Sequence, residues 1–252
     1  MGMTPESSGS NLAGQPEGSS VPPAAGSRRR FIGASAGGVG VLLAVQAKSA
    51  LGQISCLSPS AIVSGNLSHH AGEVVCSAGL SPTDWKLQIN LSSWGSVDAP
   101  RFKQNVALLD VDGSSYKTGQ DISQNPRSVM NSVGTLVSAV LPDADVPSST
   151  GIWEFLAFPQ NFATLSDCEL MRHLIAAWIN TNLLPDYPIK SWHIQEMWQS
   201  LRRGGTYCPS SLACTGTMGL TAAEVISYIK TTYSGTESPL LYVCKKQNST
   251  TK

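Results

Sequence analysis

Ser166-Asp167-Cys168-Glu169-Leu170-Met171-Arg172-His173-Leu174-Ile175-Ala176-Ala177-Trp178-Ile179-Asn180 decides the architecture. At 100° per residue, Met171, Leu174, Ile175 and Trp178 fall on one side. Glu169, His173, Ala176 and Asn180 form a narrow strip opposite them. Ser166 and Glu169 have the spacing of a capping box, in which each side chain serves the other's backbone N–H. The pattern predicts a central helix over Asp167 to Asn180, buried over most of its circumference.

Working outward, Ile194, Met197, Trp198 and Leu201 repeat at i, i+3, i+4 and i+7. Arg202 and Arg203 suit the negative end of that helix before Gly204-Gly205 stops it. Thr221 and Glu224 form another capping box and open a helix that turns Val225, Ile226 and Ile229 inward. Upstream, Ile152 to Phe158 reads as a short aromatic helix or turn. Asn125 and Pro126 open a helix marked by Val129, Val133, Leu136, Val137 and Val140, ended by Pro142 and Pro147.

The amino-terminal part reads differently. Trp85, Leu87, Ile89 and Leu91 alternate with Lys86, Gln88, Asn90 and Ser92, which predicts a half-buried strand. Residues 53–80 are rich in Ser and Gly and read as irregular with one short strand, and residues 110–127 as a polar loop. There is no internal repeat. The fold class is therefore mainly α: a single domain of at least four helices, preceded by a short strand-containing segment and linked by disulfides.

Ser27-Arg28-Arg29-Arg30-Phe31-Ile32 fits the twin-arginine export signal, with Arg28, Arg29 and Phe31 as its key residues. A Ser-, Gly- and Pro-rich leader precedes it. Phe31 to Ala47 is uncharged but diluted by Gly33, Gly37, Gly38 and Gly40, and is short and weak for a membrane anchor. Cleavage after Ala50-Leu51-Gly52 releases a chain beginning at Gln53, with Ala47-Lys48-Ser49 as an alternative site. Lipid attachment at Cys56 is disfavoured by Gln53 at a position that usually holds Leu. The expected organisation is a removed leader and signal over 1–52, an exported helical domain over 53–246 and a disordered tail over 247–252. The expected location is the periplasm or exterior of a bacterium, with no stable membrane span after cleavage. The export machinery is the only partner that the sequence names.

The 252 residues carry 17 basic and 17 acidic side chains. Arg28, Arg29, Arg30 and Lys48 leave with the signal, against Glu6 and Glu17. The remaining 13 basic and 15 acidic residues give a net charge of −2, which leaves no basic face for nucleic acid. All six cysteines lie in the exported part, and an even number outside the cytoplasm predicts disulfides. Cys56 with Cys76 and Cys208 with Cys214 each bracket a loop-like stretch, which leaves Cys168 with Cys244 to pin the tail to the central helix. No Cys-x-x-Cys pair supports zinc.

Two segments carry a resemblance. Leu80-Ser81-Pro82-Thr83-Asp84-Trp85-Lys86 resembles the Leu-Ser-Pro-Gly-aromatic-Trp-Lys segment of a loose group of uncharacterised exported bacterial proteins. Thr83 stands in place of the Gly and Asp84 in place of the aromatic residue. His173-Leu174-Ile175-Ala176-Ala177-Trp178-Ile179-Asn180, followed by Tyr187-Pro188, is similar to that group's His-x-x-Ala-Ala-x-x-Asn helix and Tyr-Pro turn. The resemblance implies export and a helical domain, and it implies no catalytic residues.

Candidate chemistry is sparse. Gly33-Ala34-Ser35-Ala36-Gly37 matches a nucleophile elbow by letter but lies in the signal, without the strand and helix that the elbow needs. Ser114-Ser115-Tyr116-Lys117 and Lys117-Thr118-Gly119 echo penicillin-recognising enzymes, yet both pieces share Lys117. Ser227-Tyr228-Ile229-Lys230 has no partner motif. Asp110, Asp112, Ser114, Thr118 and Asp121 match a calcium-loop template, but Ser115 stands where Gly should make the turn. The same residues fit a polar loop with Asx turns.

His69-His70 with Glu73, Glu169 with His173, and His193 with Glu196 are the remaining metal or acid–base candidates. The bland alternative pairs Glu169 with His173 along a polar stripe and leaves His193 solvated. Of the six tryptophans, Trp178 and Trp198 fall on core faces, while Trp94 and Trp192 are open to surface roles. The expected role is that of a non-enzymatic interaction protein without a cofactor. An exported hydrolase or metal-dependent enzyme using His173, Glu169 and His193 is the alternative.

Overall fold

The computed structural model describes residues 56–65, 76–87, 91–103, 125–162, 164–214, 219–235 and 244. All of them fall within one compact unit of the chain, Ser35–Lys252. Seven α-helices appear among the described residues: α1 (Pro59–Val63), α2 (Pro82–Lys86), α3 (Val137–Val140), α4 (Ile152–Ala157), α5 (Cys168–Leu183), α6 (Ser191–Leu201) and α7 (Ala222–Lys230). Two short strands, β1 (Arg101–Phe102) and β2 (Met130–Ser132), pair antiparallel with an irregular register at Arg101. The fold is mainly α and disulfide-linked.

α5 is the axis. Helices α2, α3, α4, α6 and α7 all pack on it. Leu170, Met171, Leu174, Ile175, Ala176, Ala177 and Ile179 are all buried, so the helix is covered over most of its circumference. Ile194, Met197, Trp198 and Leu201 of α6 and Val225 and Ile229 of α7 complete the core as their spacing predicts. Each such side chain contributes roughly 1.5–3 kcal/mol on burial. The Thr221–Glu224 capping box is formed in both directions at α7, and Gly204 leaves α6 with φ 76°. No helix among the described residues is long and apolar enough to cross a membrane.

Several expectations are corrected. The described residues of the strand expected from Trp85 to Ser92 are not extended as a strand: Trp85 and Lys86 lie in α2, and Ser92–Trp94 is a 3-10 turn, while residues 88–90 lie outside the described residues. The period of two in the side chains yields to a stronger local signal. Ser81 caps α2, its Oγ accepting from Asp84 N at 3.3 Å while Asp84 Oδ2 accepts from Ser81 N at 3.0 Å, with Pro82 in the first turn.

The single helix expected from Asn125 is also broken. Pro126–Val129 is a 3-10 turn, β2 follows, and only Val137–Val140 is α-helical. Gly134 causes the break. It holds φ 71°, and a Cβ there would collide with the backbone of Asp98, Ala99 and Pro100.

Three smaller differences follow the same logic. Within residues 53–80, read as irregular, Ser58 caps a helical turn, α1; Gly79 makes only an isolated parallel bridge to Tyr233. The Ser166–Glu169 capping box does not form. Asp167 occupies the cap of α5 without a side-chain bond, because Glu169 is engaged by Arg172 Nη1 at 2.9 Å and by the backbone N–H of Cys244 at 3.2 Å. Trp94, open to a surface role, is buried edge-on against Trp85, whereas Trp178 of the expected core face is only half-buried.

Three disulfides close the chain: Cys56–Cys76, Cys168–Cys244 and Cys208–Cys214. Two of these are the pairs that loop bracketing favours, and Cys168–Cys244 is the pair that they leave.

Candidate functional site

The two histidines on the central helices are positioned by packing, and the structure does not bring them to one place. His173 faces α7 from α5, with Nδ1 2.9 Å from the Tyr233 hydroxyl and the two rings stacked. Burial first, then the positive charges of Arg172 and Lys230, hold its pKa well below the ordinary value. It is a neutral ring locked in the core. Glu169 does not reach it, so the expected Glu169–His173 pair is replaced by the Glu169 bonds to Arg172 and Cys244.

His193 lies in the first turn of α6 and is buried, not solvated as the bland reading had it. Its Nδ1 accepts the N–H of Lys190 at 3.1 Å, so the neutral ring carries its proton on Nε2. Burial pushes its pKa down to about 4; the Glu196 carboxylate opposes this shift and Lys190 adds to it. Beside Glu196 stands Tyr207, fully buried, whose backbone pairs with Leu220 in both directions at 2.8 Å. The Tyr207 hydroxyl and Glu196 Oε2 are both buried, and neither has a hydrogen-bond partner apart from the other. Burial, followed by the adjacent carboxylate, raises the Tyr207 phenol well above its ordinary pKa. Trp192, the large hydrophobic residue left exposed among those described (47%), lies with its ring centroid 3.5 Å from that of His193. His193 and Glu196 were legible as a spaced pair, but Tyr207, 11 positions beyond Glu196, had no sequence signal linking it to them.

Among the described residues no group of three His, Cys, Asp or Glu side chains could hold a metal. The calcium-template residues Asp110, Asp112, Ser114, Thr118 and Asp121, the His69-His70 and Glu73 cluster, and the export residues Arg28, Arg29 and Phe31 lie outside the described residues.

The other concentration of polar groups joins the two segments that carried the resemblance. Asn180 is fully buried. Its Oδ1 accepts from Leu80 N and from Trp85 Nε1, both at 2.9 Å, and its Nδ2 donates to Leu80 O at 3.0 Å. Gly79 lets the chain pass this close, since a Cβ there would meet the Asn180 amide and the Tyr187 ring. The Tyr187 hydroxyl pairs with Thr232 Oγ1 at 2.6 Å. Burial pushes its phenol up to about 12, against the pull of the hydrogen bonds from Thr232 and Asn180. All of these groups bond to one another, which makes them a structural clasp.

Two surface clefts are lined by described residues. One, of about 430 Å³, lies along Leu91 to Arg101, with Trp94 and Pro100 beneath and Asp98 and Arg101 among its walls. The other, of about 290 Å³, lies where α6 meets the start of α5, between Asp145, Ser166, Asp167, Met171, Trp198 and Arg202. The Pro142-Asp143 turn closes its edge: Trp198 Nε1 donates to Pro142 O at 2.8 Å, and Arg202 Nη1 pairs with Asp143 Oδ2 at 3.0 Å. Asp143 holds φ 56°, an uncommon conformation for a residue with a side chain. Partial burial raises the Asp167 carboxyl, and a hydrogen bond from Ser166 offsets part of that shift. Comparison with protein-family models, with curated proteins and with solved structures finds no match.

Proposed function

We propose that this chain is a non-enzymatic interaction protein that leaves a bacterial cytoplasm folded, by the twin-arginine route. Its cysteines pair afterwards in the periplasm or outside the cell. One observation carries the reading: His173 and His193, the best candidates for chemistry, are both buried and each is given to a hydrogen bond that holds an element in place. Glu169, the third member of the alternative enzyme, is tied to Arg172 and to the Cys244 backbone. Three disulfides suit an oxidising compartment. The kinship to exported bacterial proteins, suggested by the segments that meet at Asn180, points the same way. Trp192 is the contact residue that this reading offers, because large aromatic side chains contribute strongly at protein interfaces.

Two measurements on natively exported protein test it. Plasma mass spectrometry is expected to find no stoichiometric metal. A photo-cross-linking amino acid at position 192 is expected to give a discrete adduct in intact cells that the same group at Gln199 does not give. Stoichiometric metal, or identical cross-linking from both positions, overturns the reading. The export step has its own test: replacing Arg28, Arg29 and Arg30 together by Lys should retain a fused reporter in the cytoplasm.

A further inference from the structure

The first two turns of α6 bring together a neutral acceptor, a buried carboxylate oxygen and an exposed tryptophan within one stretch of chain. His193 Nδ1 takes the Lys190 N–H, one of the backbone donors that a helix start leaves without an intrahelical partner. One turn further on, Glu196 Oε2 is buried, with the neutral Tyr207 phenol as the one donor beside it. Residues three apart share a helix face, so the ring and the carboxylate are neighbours. The arrangement offers the imidazole two mutually exclusive partners.

We propose that the first turn of α6 is a proton-operated latch, in which protonation moves the His193 ring from the Lys190 N–H to the Glu196 carboxylate and loosens the turn that carries Trp192. The proton comes from solvent and adds to Nδ1. A protonated Nδ1 is a donor and cannot accept from Lys190, so two N–H groups then face each other. The partial positive charge of the helix start and the Lys190 ammonium disfavour the cation where the neutral ring sits. Glu196 supplies what the cation needs, a charge-assisted hydrogen bond to a carboxylate that otherwise meets only the neutral Tyr207 phenol.

The other charged groups around the latch are accounted for. In the turn between α5 and α6, the Lys190 ammonium is held by Pro185 O at 2.9 Å, and Asp186 is exposed. From the segment after α6, Tyr207 faces Glu196 with a phenol that stays protonated through the acid range. On α5, Glu169 and Arg172 pair with each other near its start, while His193 sits by the turn that follows its end. On α7, Lys230 acts on His173. At the far end of α6, Arg202 is paired with Asp143. The latch is a property of the turn itself and holds whether or not a partner docks at Trp192.

The test is a nuclear magnetic resonance titration of the chain with its disulfides intact, from pH 7.5 to 3.5. His193 is assigned among the four histidines by loss of its signal in His193→Gln. The His193 ring signal and the Lys190 amide shift are expected to move together, with a common midpoint near 4 and unchanged far-ultraviolet circular dichroism. Glu196→Gln should lower that midpoint, since it removes the anion that favours the imidazolium. In His193→Gln the Lys190 amide should no longer titrate. A Lys190 amide that stays still while His193 titrates overturns the latch. So does a midpoint coinciding with global unfolding, or one that Glu196→Gln leaves unchanged or raises. The wild-type titration alone decides if Glu196→Gln does not fold.

Discussion

Asn180 does more for the tertiary structure than its size suggests, because one amide satisfies three groups from a segment 95 to 100 positions away. Asn180→Ala would leave the Trp85 indole N–H and both backbone groups of Leu80 without these partners. We expect a loss of about 3–5 kcal/mol, since each buried group without a partner costs roughly 1–3 kcal/mol; urea unfolding at neutral pH measures it. His193 sets an acid limit at the same scale. Its folded pKa is about 4, below the ordinary 6.5 of the unfolded chain. The unfolded state therefore binds more protons as the pH drops through this interval, and stability falls from about pH 6.5 down to about 4. Urea midpoints measured across this range should fall for the wild type and fall less for His193→Gln.

At the scale of elements, caps and backbone geometry overrule side-chain period. Gly134→Ala should destabilise by more than 1 kcal/mol, because it adds backbone strain at φ 71° to a clash with the 98–100 backbone; thermal melts will show it. Thr221→Ala removes a hydroxyl that accepts from Glu224 N at 3.4 Å and should cost about 1 kcal/mol, with faster amide exchange confined to the start of α7. These same elements show how far the sequence could be read. α6 was legible because period and stop signal agreed, and α7 because period and cap did. α2 was not, because four alternating apolar residues outweighed the Ser-Pro-x-Asp cap in front of them. The break at Gly134 depends on where residues 98–100 pass, and no local pattern contains that. For the same reason Tyr207 could not be placed beside Glu196, nor Tyr233 beside His173, because each pairing needs α5, α6 and α7 already packed.

At the scale of the whole molecule, the three bridges differ in how much of the chain they constrain. Cys168–Cys244 spans 76 positions, Cys56–Cys76 spans 20 and Cys208–Cys214 spans 6. Loop entropy ranks their stabilisation in that order, at about 4.5, 3.3 and 2.2 kcal/mol. The paired Cys168→Ser and Cys244→Ser variant should therefore lower the unfolding midpoint most, and Cys208→Ser with Cys214→Ser least. At the alkaline end, the phenols of Tyr187, Tyr207 and Tyr228 are all shielded from ionising in the native state, chiefly by burial. Above pH 10 the unfolded chain releases these protons and the native one keeps them, so stability declines as the medium becomes more basic. The share of tyrosinate absorbance near 295 nm that comes from these three would then rise in one sharp step when the globule opens. The chain thus carries its own optical indicator of base-induced collapse, without any added dye.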